Sequence, residues 1–404
     1  MNAPAAFTEA EALGRARLSP VLWVASLLSA AMLFWADILN FHEGLIAGGA
    51  YWGRDFVNVW TGGHLIRAGD FATLYDVEAY QRFQQTLFAG IAPHNYSYPP
   101  VSFPLAALFS PFSYPLALAV WLAGTGALFV HACRRWWPAE AGTPWLALLT
   151  PAALLNIWAG HYGFLIGALF LLGWQNLDRK PVNAGILFAF MLLKPHLAVL
   201  LPLVLLARGE WRAVASGAVT VALLLGSTTL MFGWESWQQF LFGVSATQSS
   251  MINAQDSFFG YMSTSTATAV LRWTELKPLA AAAQGAVALA AAALVFLAAR
   301  RRVPTPQLAL LTATCTFLAL PYAFNYDMVV VMLGAVLAIL ASDRPWQRIA
   351  AVAAFLCPVF GMLAAYWGIP LIPLALGGLA WTQWRQAVGS GARGSFNRQT
   401  ATCA

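Results

Sequence analysis

Five stretches of this chain, Ser19–Asn40, Arg212–Gly233, Pro278–Ala299, Thr305–Tyr322 and Met328–Ser342, are almost wholly apolar. Their lengths approach the roughly 20 residues that a helix needs to cross a bilayer. No water is available inside a bilayer, so a spanning segment must pair its own backbone N–H and C=O groups or close into a barrel. Strand-length alternation is absent, which leaves helices. Composition agrees: 60% of the 404 residues are hydrophobic and 9% are charged, against about 25% charged in a soluble domain. The chain reads as an all-α polytopic membrane protein.

A net charge of +6 raises the question of nucleic acid. The basic residues, however, fall in short clusters between apolar runs: Arg15/Arg17, Arg134/Arg135, Arg179/Lys180, Arg208/Arg212, Arg300/Arg301/Arg302, Arg344/Arg348 and Arg385/Arg393/Arg398. Placed on the cytoplasmic face, these clusters account for 16 of the 22 Lys and Arg, and the opposite face then holds ten of the 16 acids, Asp37 and Asp327 among them. That asymmetry orients a membrane protein and argues against a nucleic-acid partner. The Ala-, Trp- and Arg-rich composition suggests a GC-rich bacterial genome, hence an inner (plasma) membrane whose outer face is the periplasm. The first 18 residues lack a signal-peptide n-region, so the run after them is read as an uncleaved first span. Cys133, Cys315, Cys357 and Cys403 have no metal-ligand spacing.

The charge clusters set the expected organisation. Residues 1–386 form one integral membrane domain of about ten spans. The first span leads outward into a long first periplasmic loop, 41–100, and residues 234–277 form a second periplasmic region. Pro99–Pro111 is apolar but broken by prolines, and is expected to lie on or dip into the membrane. The run "WLALLTPAALLNIWAGHYGFLIGALFLLGW" divides at Gly160–Gly163 into two short spans. Later spans are expected near 278–299, 305–322, 326–342, 347–366 and 369–386, with both termini cytoplasmic. The tail 387–404, rich in Gly, Ser and Arg, is expected to be disordered.

The segment "PVNAGILFAFMLLKPHLAVLLPLVLLA", 181–207, is flanked by basic residues at both ends. It is too short for two full spans, yet its equal flanks argue against one. Pro195 removes a backbone donor and disfavours helix at Lys194, so two short helices meeting at Lys194–His196 fit best. A lysine at membrane depth is costly and faces an aqueous cavity or a partner. It is read as a functional cation or as a snorkelling or structural ion pair. The other conspicuous charges are Arg54–Asp55, in "YWGRDFVNVWTGG" at the start of the outer loop: a solvated or paired loop charge, or part of a site.

Four stretches resemble glycosyltransferase family 87, polyprenyl-phosphate-sugar-dependent enzymes of the GT-C class best known for α-1,2-mannosyltransferases. They are Asp55–Phe56 opening a helix that ends in a glycine turn and Leu74–Tyr75–Asp76; Tyr98–Pro99–Pro100; the run from Asn156 through "GHYGFL" to "KPHLAVLLPLVLLARGEWR"; and "LPYAFNYDMVV", 320–330. Two positions depart from the pattern: His161–Tyr162 stands where glutamine or asparagine is expected, and "KPH" replaces a commoner "KPQ".

The resemblance implies a GT-C-type bundle of about ten helices plus the short-helix pair. It also implies an inverting transfer of a hexose, mannose-like by family expectation, from a polyprenyl phosphate to a hydroxyl of a glycolipid or glycan acceptor, without a metal or other cofactor. In it Asp55 is the general base on the acceptor hydroxyl. The residue type suits the task, because a sugar hydroxyl is a poor nucleophile until a positioned carboxylate takes its proton. The leaving phosphate needs cations or donors, for which Lys194, Arg54, His196 and His161 are the candidates; Arg54 would face that phosphate or else orient Asp55, and each histidine has an equally good structural reading. Asp327 would bind sugar hydroxyls, cap its helix or pair with Arg54, and Asp76, Tyr75 and Tyr98 are wall candidates. Besides donor and acceptor, the partners implied are membrane lipids. The competing readings are a transporter or flippase of a lipid-linked sugar, which would favour internal repeats, and a glycan polymerase or ligase using polyprenyl-linked donors.

Overall fold

The computed structural model describes residues 18–244 and 257–401, with no strand among them and only isolated β-bridges. The Arg15/Arg17 cluster, Cys403 and the middle of the 234–277 region lie outside the described residues.

Helix α1, Pro20–Leu39, starts where Ser19 Oγ accepts the Val21 N–H and Pro20 presets the first turn. A looped segment then leads to α2, Phe56–Ala68, which ends at Gly69 in the left-handed conformation. Two short helices, Phe71–Tyr75 and Val77–Leu87, complete the 41–100 segment, named the outer loop after its expected side, and Pro100–Ser102 with Phe103–Phe109 form the short apolar element expected before the second span. That span is α3, Tyr114–Cys133. Next come α4, Pro151–Ala159, and α5, Gly163–Leu177, divided at Gly160. Gly160 has φ 65°, and a Cβ there would lie 2.6 Å from the Gly53 carbonyl oxygen. The glycine thus permits both the turn and the close approach of the outer loop.

The 181–207 segment is broken as its sequence dictates. Helix α6, Pro181–Ala189, tightens to a 3₁₀ turn at Phe190–Leu193. Lys194 leaves the helical region (φ −139°, ψ 75°), a second 3₁₀ turn covers Pro195–Ala198, and α7, Leu201–Arg208, follows. The remaining main helices are α8 (Trp211–Phe232), α9 (Lys277–Arg300), α10 (Thr305–Ala319), α11 (Val329–Leu340), α12 (Pro345–Tyr366) and α13 (Ile372–Ala401). Helix α13 is described as far as Ala401, inside the stretch 387–404 that was expected to be disordered.

Helices α10 and α11 are buried on nearly every side, which marks them as the interior of the bundle. Among the described residues five helices, α1, α3, α8, α9 and α12, are long and apolar enough to cross a membrane, and other apolar helices are shorter, 10–17 residues. About ten spans were expected, two of them short. The difference lies in helices such as α5, α10 and α11, which are apolar but shorter than a full crossing; the interruptions at Gly160, Lys194–Pro195 and Asn325–Asp327 are where the polar residues gather.

Candidate active site

Three interruptions meet at the end of the bundle covered by the outer loop. The first is the α4–α5 turn with His161. The second is the break at Lys194. The third is the 3₁₀ turn Asn325–Asp327, which packs against α4. Pro358 within α12 helps to seat that third turn. Its ring leaves the Ala354 carbonyl without the usual helical donor, and the Cys357 thiol approaches that oxygen at 3.3 Å. The Pro358 carbonyl in turn accepts from Asn325 Nδ2 at 2.6 Å.

Lys194 Nζ donates to Asp327 Oδ2 at 2.5 Å, and both side chains are almost fully buried. Asp327 therefore pairs with Lys194, and the possible pairing with Arg54 is corrected. Its other oxygen, Oδ1, has no hydrogen-bond partner. An unsatisfied carboxylate oxygen in a buried site is unusual enough to suggest a polar ligand.

His161 joins this pair to the outer loop. The Tyr162 backbone N–H, at 2.8 Å, and Lys194 Nζ, at 3.1 Å, both direct donors at Nδ1. An atom that accepts from two donors carries no proton, so the neutral ring holds its proton on Nε2. Nε2 lies 3.2 Å from the Tyr98 hydroxyl and 3.9 Å from Asp55 Oδ2. The imidazole is stacked on Tyr326, with ring centroids 4.4 Å apart.

Asp55 enters from the opposite wall. Its backbone N–H donates to the Ala159 carbonyl at 2.9 Å, docking the start of α2 on the end of α4. The adjacent Arg54 turns away. Its guanidinium makes an ion pair with Asp37 of α1, lies 3.9 Å over the Trp158 ring and donates to the Ala47 carbonyl. Trp158 Nε1 donates to the other Asp37 oxygen at 2.7 Å. Arg54 itself has φ 32°, in the left-handed region that costs a non-glycine residue energy. The expectation that Arg54 faces the reacting groups is thus replaced by a clamp that fixes the backbone from which Asp55 projects.

Burial governs the Asp55 carboxyl: desolvation raises it to about 6, although Lys194 and then Arg54 pull it down, with Asp327 adding a smaller upward push.

The other candidates divide. Tyr98 is in the site, and Tyr75 supports it by donating to the Tyr98 carbonyl at 2.7 Å. His196 lies one turn beyond Lys194 against Tyr322, with ring centroids 6.2 Å apart, and makes no hydrogen bond to the Lys194–Asp327 pair. Asp76 is exposed and caps the helix Val77–Leu87 by accepting the Ala79 N–H, so it is not brought into the site. The sequence reading missed Asp37 and Trp158 as partners of Arg54, and Tyr326 as the floor under His161. The available signal was the cost of isolated charge in an apolar setting: Asp37 lies in the last turn of the first span and needs a cation.

A buried carboxylate, a histidine and a lysine–aspartate pair, at one end of a polytopic helical bundle, define a membrane protein that handles a polar group beside the bilayer. A sequence model of glycosyltransferase family 87 matches residues 96–321, more than half of the chain, and the chain belongs to that family. It is therefore a glycosyltransferase. No curated protein and no solved structure matches it. Tyr98, His161, Lys194 and His196 fall inside the matched segment, while Asp55 and Asp327 flank it.

Proposed function

We propose that the protein is an inverting hexosyltransferase that uses a polyprenyl-phosphate sugar and glycosylates a hydroxyl of a glycolipid or glycan at the periplasmic face of a bacterial inner membrane. One observation carries the assignment of roles. Arg54 is committed to Asp37 and Lys194 to Asp327, so Asp55 is the carboxylate at this centre left without a cation partner. The neutral imidazole of His161 lies 3.9 Å from it. A carboxylate free of an ion pair, with its pKa raised to about 6, is ionised at neutral pH and basic enough to take a proton.

In the proposed reaction the acceptor oxygen attacks the anomeric carbon as Asp55 removes its proton. The bond from that carbon to the phosphate oxygen breaks, and the polyprenyl phosphate leaves with the electron pair. Lys194 has three ammonium protons. Asp327 and His161 take two, and the third is available to the leaving phosphate, whose charge grows as the bond breaks. His161 Nε2–H and the Tyr98 hydroxyl serve as donors to sugar oxygens, and the unpartnered Asp327 Oδ1 as an acceptor for a sugar hydroxyl. Mannose is the family expectation for the sugar.

The test is to incubate purified protein with radiolabelled polyprenyl-phosphate mannose and membrane acceptor lipids, and to follow label into a new glycolipid. Transfer that depends on Asp55 supports the reading. Movement of the donor across vesicles without transfer would make the protein a transporter instead.

A further inference from the structure

A second polar feature lies at the other end of the bundle. A cavity of about 370 Å³ is lined by Leu206, Ala207, Arg208 and Gly209 from the end of α7, Trp211 from the start of α8, and Ala299, Arg300 and Arg302 from the end of α9. Helix α8 fixes its distance from the site above. Phe232, at the far end of α8, packs on Phe71 and Phe103 beneath the outer loop. Trp211, at the near end, lines the cavity. A helix of 22 residues spans about 33 Å, roughly the hydrocarbon thickness of a bilayer. The cavity therefore opens at the opposite membrane surface from Asp55.

Its charges are unequal. Arg208 is used within the fold: Nε pairs with Glu210 at 3.0 Å, while Nη2 pairs with Asp178 at 3.2 Å and donates to Thr305 Oγ1 at 2.7 Å. Asp178 and Glu210 are thereby engaged. Arg300 and Arg302 are exposed and have no ion-pair partner among the described residues, while Arg301 between them lies over Trp384. Two arginines without an ion-pair partner among the described residues thus line one cavity. Beside them are an exposed indole, Trp211, and an exposed Leu206. Helices α8 and α9, which rise from the cavity, expose apolar side chains such as Val219, Leu223, Leu289 and Phe296 along the bilayer-facing surface.

A ligand for this place must be anionic at its head and apolar along its tail. Guanidinium groups recognise phosphate oxygens with paired donors, tryptophan favours the headgroup level, and the exposed apolar helix faces suit acyl chains. We propose that the cavity is a binding site for the phosphodiester headgroup of an anionic phospholipid of the leaflet opposite the transferase site. It differs from diffuse attraction of basic residues to a charged surface because the two arginines line one and the same concavity.

The test uses the full-length protein. Native mass spectrometry from mixed micelles gives apparent affinities for phosphatidylglycerol and phosphatidylcholine in wild type, in Arg300→Gln/Arg302→Gln and in Arg134→Gln/Arg135→Gln, an exposed basic pair outside the cavity. Wild type should prefer phosphatidylglycerol. The cavity pair should weaken that binding about thirtyfold at low salt, the loss expected from two cation–headgroup contacts, and the control pair by less than about threefold. Equal losses in the two variants, or no preference in wild type, would overturn the proposal. Inorganic phosphate is the second probe: if it competes away the lipid at equal concentration, the site takes free phosphate and the lipid assignment fails. Both variants keep the transferase residues, so a failed lipid site leaves the transfer reading untouched.

Discussion

Replacing Asp55 by asparagine is expected to abolish transfer and, at neutral pH, to stabilise the protein. Asparagine keeps the side chain's size but cannot accept the acceptor's proton, so turnover should fall roughly 10²–10⁴-fold. The stability effect follows from burial. A carboxyl with a folded pKa of about 6 and an ordinary value of 3.8 holds its proton more tightly in the folded state. The fold therefore loses stability as pH rises from about 4 to about 6, and the loss is complete above that. The interval corresponds to about 3 kcal/mol on the order of magnitude. Asp55→Asn avoids this cost, so its advantage over wild type should be small at pH 4, grow to about 3 kcal/mol at pH 7 and then level off. Because activity needs the ionised form, wild-type kcat/KM should fall about tenfold between pH 7 and pH 5. Thermal melts in detergent across this pH range, paired with turnover of a polyprenyl-phosphate sugar, test both arms. Normal turnover by Asp55→Asn refutes the base assignment. An inactive variant that melts no higher than wild type at pH 7.5 refutes the claim that the ionised carboxylate opposes folding.

Three further perturbations address the groups around that base. Asp327→Asn should lower stability by about 3–5 kcal/mol because it strands a buried ammonium, yet it should tighten donor binding, since the donor phosphate then supplies the missing counter-charge; equilibrium binding of the donor decides, and unchanged affinity would confine the pair to a structural role. Asp37→Asn and Arg54→Lys should lower kcat about 10²-fold with donor KM little changed, because they loosen the backbone that aims Asp55; steady-state kinetics with kcat intact would show that the clamp does not position the base. For topology, cysteine introduced by Ala72→Cys, an exposed position in the outer loop, should react with an impermeant thiol reagent added outside intact inner-membrane vesicles of native orientation, and reaction only after permeabilisation would reverse the orientation.

Much of the fold was legible because the bilayer permits so few structures. Apolar run length identifies α1, α8 and α9 almost to the residue, since a helix crossing hydrocarbon has no cheaper way to pair its backbone. The break at Lys194 was legible for a local reason: Pro195 both lacks an N–H and restricts the residue before it. Gly160 likewise announced the α4–α5 turn. The span count was less legible, because an apolar run has the same composition whether it faces lipid or protein. Helices α10 and α11 are sheltered by neighbouring helices, so they need not match the membrane's thickness, and hydropathy alone cannot tell them from full spans.

The identities of the site residues were visible in the sequence, but their pairing was not, and pairing determines the chemistry. Lys194 and Asp327 are 133 residues apart, and Trp158 lies 121 residues from Asp37, so separation along the chain says nothing of who pairs with whom, and the expected Asp327 partner of Arg54 gives way to Asp37, 17 residues before it. Adjacent residues rarely make the best ion pair when their side chains diverge from a constrained turn, and Arg54, at φ 32°, sits in such a turn. Electrostatics supplies the rule that sequence order lacks. A charge in an apolar bundle is stable only beside an opposite charge or a dense set of hydrogen bonds. Applied to two cations and three carboxylates at one end of the bundle, that rule leaves one carboxylate over. The folded arrangement makes it Asp55, the one seated at the start of α2, whose backbone N–H is docked on the end of α4.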